Sequence, residues 1–266
     1  MSYDVIHLEQ AGSRQTHDTI GGAGLYTALA AASTGARVTL FAPRPKGDDK
    51  LISEVGRLVR WVGPTISRDR MPRLEIVHHG NGRATLLGAA WGGEEELFPE
   101  LLPDYIDDRF EIAHIAALSS ANRQLAFQKE LQANDLCNRI SVGTYARCIE
   151  ADRAGVRDLT AESDFVFMNA NEARLLFGKG SILPRRGQVY FVTDGKFGAT
   201  IYNTSDHYEL SAEEADELDP TGAGDSFCGA ALSGLSANRS ALDAAKNGIS
   251  LAARVIEHPG PGHYFS

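Results

Sequence analysis

The chain has 266 residues, 43% hydrophobic and 23% charged, which suits one or two domains of roughly 150 residues and fits disorder, coiled coil or collagen-like repetition poorly. Its 26 Lys and Arg against 35 Asp and Glu leave a net charge of -9, which argues against nucleic acid or an anionic membrane surface as partner, because both reward clustered cations. No apolar run is long enough to span a bilayer, Met1-Ser2-Tyr3-Asp4 lacks the opening of a secretory leader, and Cys137, Cys148 and Cys228 lack CxxC spacing, so a cytoplasmic protein with reduced thiols is expected.

In chain order, the strand candidates are Tyr3–Leu8, Arg37–Ala42, Ile112–Ala117, Ile140–Gly143, Asp164–Met168 and Val189–Thr193. Helical candidates are Ala23–Thr34, Asp49–Val62, Asn122–Ala133, Glu172–Phe177, Asp225–Leu235 and Ala241–Glu257. Such alternation implies parallel strands joined by crossover helices, an α/β layer fold. Parallel strands are covered on both faces, which accounts for Phe165-Val166-Phe167 lacking polar alternation. Two helices are rich in small residues (Ala28 to Ala32, and Gly229 to Gly234), a composition that allows close approach to a sheet. One segment breaks the rhythm. Leu74–His78 and Ala84–Leu87 flank an Asn81-Gly82 turn, a strong hairpin signal, and predict a small β flap with Ile6–Gln10 or Thr16–Ile20 as further material.

Several signatures are missing. There is no GxxxxGK[ST], no HExxH and no GxSxG. Gly222-Ala223-Gly224 and Gly22-Ala23-Gly24 begin like dinucleotide fingerprints but have Phe227 and Thr27 where the third glycine belongs. His78-His79 lies in the hairpin without metal-ligand spacing.

The informative stretch is Asp219-Pro220-Thr221-Gly222-Ala223-Gly224-Asp225. Proline and glycines precede a helical pattern of small residues, so a bare turn feeds a helix N-terminus. The first amides of a helix lack internal partners and the dipole makes that end positive, which together form an anion cradle. A carboxylate beside such a cradle, at Asp225, suits phosphoryl transfer to a hydroxyl. It accepts the hydroxyl proton while the amides stabilise charge on the phosphoryl group, and the cradle favours its ionised form.

Three further elements occur in register with this one. Gly21-Gly22-Ala23-Gly24 opens the first long helix, Asn169-Ala170-Asn171-Glu172 ends a strand, and Val192-Thr193-Asp194-Gly195-Lys196-Phe197-Gly198 ends another. Together the four resemble the ribokinase-like (PfkB) carbohydrate kinase family, whose signature reads D-[TP]-T-G-A-G-D. The resemblance implies a three-layer α/β/α sandwich with a central, mostly parallel sheet and a small β lid. It implies a single domain over residues 1–266, with the lid drawn from about 6–20 and 71–92. Asp225 would be the general base, and the backbone of Gly222, Ala223, Gly224 and Asp225 the anion hole. ATP would be co-substrate, bound near Thr193, Gly195, Gly198, Asn247 and Thr221. Glu172 and Asn169 would hold the water shell of Mg²⁺, which favours few protein oxygens plus phosphates. Gly21, Gly22, Asp18 and Asp225 would face the acceptor, a sugar or nucleoside.

The chain departs from the family pattern at the acceptor end. His7-Leu8-Glu9-Gln10 lacks the Asp that family members carry on or just after the first strand, leaving Asp18 or Glu9 as substitutes. Ser141–Arg147 also lacks an Asp, and Tyr26 is not the usual residue at its position. Two other readings stand beside the kinase. One is a non-catalytic metabolite-binding regulator on the same scaffold. The other is a vitamin kinase acting on pyridoxal or a hydroxymethylpyrimidine, which the flap signal disfavours. Exposed flap edges predict a homodimer through the lid.

Overall fold

The computed structural model describes residues 1–10, 13–47, 50–79 and 84–265. The chain divides into two compact units, the first Met1–Phe98, Glu213–Ser233 and Asn247–Ser266, the second Pro99–Ala212 and Gly234–Lys246.

In the first unit, β1 (Ser2–Gln10) and β2 (Ser13–Gly21) pair antiparallel, setting Ser2 opposite Gly21 and Asp4 opposite Thr19. Then follow α1 (Ala23–Ser33), β3 (Thr39–Phe41), β4 (Arg44–Pro45), α2 (Lys50–Leu58), β5 (Arg60–Val62), β6 (Thr65–Ile66), β7 (Arg73–His78) and β8 (Ala84–Ala90). A four-stranded sheet runs β2-β1-β7-β8, parallel between β1 and β7 and antiparallel elsewhere. The strand expected at Tyr3–Leu8 is therefore in this smaller sheet, together with both runs of the expected hairpin. The Asn81-Gly82 turn lies outside the described residues.

The helix expected over 49–62 ends at Leu58, and its last residues form β5, paired parallel to β3 (Asp49 itself lies outside the described residues). Trp61 explains the switch. It is buried and donates its indole N–H to the Ala42 carbonyl at 3.2 Å, anchoring an extended segment. The core of this unit gathers Ile20, Leu25, Leu29, Val55, Trp61 and Leu251.

In the second unit, α3 (Leu102–Tyr105) precedes β9 (Phe110–Ile115), α4 (Ala121–Ala133), β10 (Cys137–Gly143), α5 (Ala146–Ala151), α6 (Arg153–Ala161), β11 (Phe165–Asn169), α7 (Ala170–Phe177), β12 (Val189–Thr193), β13 (Ala199–Tyr202) and β14 (His207–Leu210). The six-stranded sheet runs β9 to β14 in sequence order, parallel through β12 and antiparallel after it. Crossovers between neighbouring parallel strands are right-handed, so steady progress in one direction puts α4, α6 and α7 on one face. Contacts of α6 with α4 and with α7 agree. The closing hairpin was not anticipated. Its turn is set by Asn203, whose side-chain oxygen accepts from the amides of Ser205 and Asp206 at 2.9 and 2.8 Å.

The last helices, α8 (Ala223–Ser236) and α9 (Ala241–Val255), contribute residues to both units. The small residues of α1 and α8 serve their mutual approach. A Cβ on Gly229 would lie 2.2 Å from the Thr27 carbonyl oxygen and 2.7 Å from Ala30 Cβ. Among the described residues, no helix is long and apolar enough to cross a membrane.

Candidate active site

The turn before α8 is built from its own side chains. Asp219 is 1% exposed. Its Oδ1 accepts the Thr221 amide at 2.9 Å and its Oδ2 the Gly260 amide at 2.7 Å, while the amides of Leu218 and Asp219 both reach the Ile256 carbonyl. Gly222 then takes φ +75, the left-handed region. A Cβ there would lie 2.3 Å from the Tyr26 ring, so the loop lies flat on that ring only because the residue is glycine.

The amides at this helix start are not equivalent. That of Ala223 donates to the Pro220 carbonyl at 3.2 Å, which narrows the expected anion hole. Those of Gly222, Gly224 and Asp225 have no hydrogen-bond partner among the described residues. A Cβ on Gly224 would meet nothing within 4 Å, so the approach to these donors is open.

Asp225 is half-buried in the first turn of α8. Burial raises its pKa from 3.8 to about 6. The helix N-terminus was expected to favour the ionised form, but desolvation outweighs it. A carboxyl poised near neutrality is better matched to taking and returning a proton than one at its ordinary value.

In the second unit, Asn169 ends β11 and caps α7 through a complete capping box. Its Oδ1 accepts the Glu172 amide at 2.9 Å, and Glu172 accepts from the Asn169 amide at 3.1 Å and from its Nδ2 at 2.7 Å. Thr144 adds a third donor to the Glu172 carboxylate at 3.1 Å. Carboxylate, amide and hydroxyl oxygens are the donors Mg²⁺ takes. Both carboxylate oxygens already accept hydrogen bonds, so this set fits the ion through its water shell and not as an inner-shell ligand. Among the described residues no group of three or more His, Cys, Asp or Glu could hold a metal.

Thr193 ends β12 and Gly195 opens a 3₁₀ turn with free space where a side chain would stand. Gly198 is constrained by packing. A Cβ there would lie 1.9 Å from the Leu210 carbonyl oxygen, so it allows the closing hairpin to pack. Asn247 is half-buried on α9.

The profile of the pfkB family carbohydrate kinases matches residues 1–265. The chain belongs to the pfkB family. It is thereby a phosphotransferase with an alcohol acceptor, of the sugar and nucleoside kinase class. A curated relative, the cytidine kinase of Thermococcus kodakarensis, is 24% identical over 256 residues, covering 90% of this chain and 88% of that protein. Among solved structures, Burkholderia thailandensis nucleoside kinase in complex with inosine superposes with a TM-score of 0.76 at 19% identity, covering 99% of this chain and 91% of that one. Anopheles gambiae adenosine kinase in complex with a diadenosine tetraphosphate gives 0.80 at 16% identity, covering 100% and 95%. These matches establish the expected ribokinase-like α/β fold.

The structure separates the pfkB acceptor residues that the sequence grouped. In β2, Asp18 pairs with Val5 and Thr19 with Asp4, so Asp18 stands on the sheet face opposite Asp4 and is exposed. Glu9 is held by His79 at 2.6 Å. The carboxylate that does meet the glycine pair is Asp4. A Cβ on Gly21 would lie 2.0 Å from its Oδ2. Asp4 is 2% exposed, its Oδ1 has no hydrogen-bond partner among the described residues, and burial raises its pKa to about 6. The sequence held a signal for it. Asp4 is in phase with Ile6 and Leu8, both buried, so a strand reading alone places a carboxylate on the covered face.

Proposed function

We propose that this pfkB kinase transfers the γ-phosphoryl group of ATP to a hydroxyl of a nucleoside or sugar, with Asp225 as general base. The observation that carries the reading is the open start of α8, where free amides of Gly222, Gly224 and Asp225 adjoin a carboxylate whose pKa is raised to about 6. Asp225 takes the proton of the acceptor hydroxyl as that oxygen forms its bond to the γ-phosphorus. The bond from the γ-phosphorus to the β–γ bridging oxygen breaks, and ADP leaves with the electron pair. The three amides stabilise charge on the equatorial phosphoryl oxygens.

Asp4, beside Gly21 and Gly22, binds acceptor hydroxyls; its unpartnered buried oxygen is the support for this role. Thr193, Gly195 and Asn247 serve the nucleotide, with Thr221 at the phosphates. Glu172 and Asn169 would hold the water shell of Mg²⁺, which would neutralise phosphate charge when bound. In this reading the whole chain acts as one ribokinase-like domain. The four-stranded sheet is its lid, and the free cysteines suit a cytoplasmic setting.

The test is ADP release from ATP and Mg²⁺ over a panel of nucleosides and sugars. Turnover with one or more acceptors is expected. Acceptor binding without ADP release across the panel would overturn the reading in favour of a regulator.

A further inference from the structure

His78 occupies a place that the kinase reading does not use. It ends β7 and stands on the sheet face of Asp4, since Asp4 pairs with Leu74 and Leu8 with His78 in the parallel register. Its side chain is 7% exposed. Its Nε2 lies 2.7 Å from Thr221 Oγ1 and 3.4 Å from Asp219 Oδ1, and its Nδ1 is buried without a hydrogen-bond partner among the described residues. This histidine touches the loop that opens the anion cradle.

The two nitrogens differ in what they face. A neutral imidazole has one N–H and one lone pair. A lone pair on Nε2 would face Thr221 Oγ1 and lie 3.4 Å from the Asp219 carboxylate, which would repel it, and the proton on Nδ1 would be a buried donor with no acceptor among the described residues, which is costly. The proton therefore belongs on Nε2, where it donates to Thr221 Oγ1. Burial lowers the pKa of the ring and favours its neutral form; the charged groups facing it are Asp219 and Glu217, with His79 next in the chain. Once Thr221 Oγ1 accepts from His78, its own proton must be given elsewhere. Thr221 is half-buried, and its hydroxyl proton has no acceptor among the described residues.

We propose that His78 is a positioning residue for phosphoryl transfer, orienting the Thr221 hydroxyl so that its proton is donated to the phosphoryl group in the cradle. This rests on the kinase reading above. The cradle then has a side-chain donor beside its three backbone amides, and the amide lost to Pro220 is replaced.

The test is a cycle of variants assayed for kcat and KM, with unfolding temperatures as control. His78→Ala should lower kcat about tenfold to a hundredfold, the worth of one hydrogen bond to a charged group, with KM for ATP changed about twofold at most. His78→Gln carries an N–H near the Nε2 position and should recover most of that loss. His78→Asn, which reaches only the Nδ1 position, should not. Adding His78→Ala to Thr221→Val should cost nothing further. Independent losses in the double variant, or a Gln variant as impaired as Ala, would overturn the proposal. A measurement on the unmodified protein covers the case where variants misfold. The ¹⁵N resonances of His78 should show Nε2 protonated and Nδ1 bare, and the reverse tautomer would overturn it. Near-normal turnover of Asp225→Asn would overturn the kinase mechanism itself. Loss of turnover in that variant with independent His78 and Thr221 effects would overturn only the role of His78.

Discussion

The starts of α7 and α8 both carry an acidic residue in the first turn, and they are built in opposite ways. At α7 the amides and the carboxylate satisfy each other: Asn169 and Glu172 exchange hydrogen bonds and Thr144 adds another. At α8 three amides have no partner among the described residues, Asp225 keeps its carboxylate half-buried, and nearby buried atoms in the same unit (Asp4 Oδ1, Tyr26 Oη) lack hydrogen-bond partners there too. Buried polar groups in folded proteins are usually paired, so a cluster left unpaired marks where a ligand completes the structure. In the proposed reading, the closed start holds the fold and the open start is where chemistry is done.

The sharpest way to break this contrast is Asp225→Asn. It should lower kcat by about two to four orders of magnitude with little change in KM for ATP, measured by coupled ADP release. Near-normal turnover would remove the base from the open start.

Next in size is a pair of glycine substitutions on that start. Gly222→Ala places a Cβ 2.3 Å from the Tyr26 ring at φ +75 and should destabilise the protein by about 2–4 kcal/mol in chemical denaturation. Gly224→Ala meets nothing within 4 Å and should leave stability unchanged or raised by about 0.5–1 kcal/mol, while its methyl group obstructs the amides and lowers turnover. Equal destabilisation by both would contradict an open approach.

A smaller effect comes from the acids themselves. Burial raises the pKa values of Asp4 and Asp225 to about 6, against 3.8 for a solvated aspartate. The folded state therefore binds protons that the unfolded state releases between about pH 4 and 6, and each carboxylate lowers stability above that window. Asp4→Asn should stabilise the protein by about 1–3 kcal/mol at pH 7.5 and by little below pH 4, read by denaturation across pH. A gain that is the same at both pH values would show that charge burial is not its source. The kcat/KM profile should likewise fall below about pH 6 as Asp225 protonates.

The smallest change is expected at the closed start. Glu172→Gln can still accept the Asn169 amide, but its own NH2 would replace the oxygen that accepts from Asn169 Nδ2 at 2.7 Å, so it should cost about 1–2 kcal/mol. If the carboxylate also holds the water shell of Mg²⁺, the variant needs more Mg²⁺ for half-maximal rate; an unchanged requirement would leave Glu172 a cap alone.

The parts of the site legible in the sequence are those specified by neighbours in the chain. Pro220, Gly222 and Gly224 dictate backbone by their own stereochemistry, so the cradle before α8 could be read directly. Asn169 and Glu172 lie three apart, a spacing that reads equally as a cap and as a binding pair, and the hydrogen bonds show the cap. Asp4 escaped because its partner Gly21 is supplied by hairpin register, which a string of residues does not state. His78 escaped for a similar reason: Thr221, 143 positions away, meets it only through tertiary packing. In the fold, the parallel strands and long helices were legible from their apolar runs. β5 was hidden at the end of a helical pattern, and β13 and β14 by their short, partly exposed sequences.

The crossing at Gly229 makes α8 a rail. Thr27 and Ala30 of α1 touch it one turn behind Asp225, on the side where only a hydrogen fits. The depth at which the carboxylate stands is thus gauged from behind, at Gly229. If Asp225 is the base, catalytic alignment is inherited from a clearance between two helices, and a single added methyl group there would push that carboxylate off its mark.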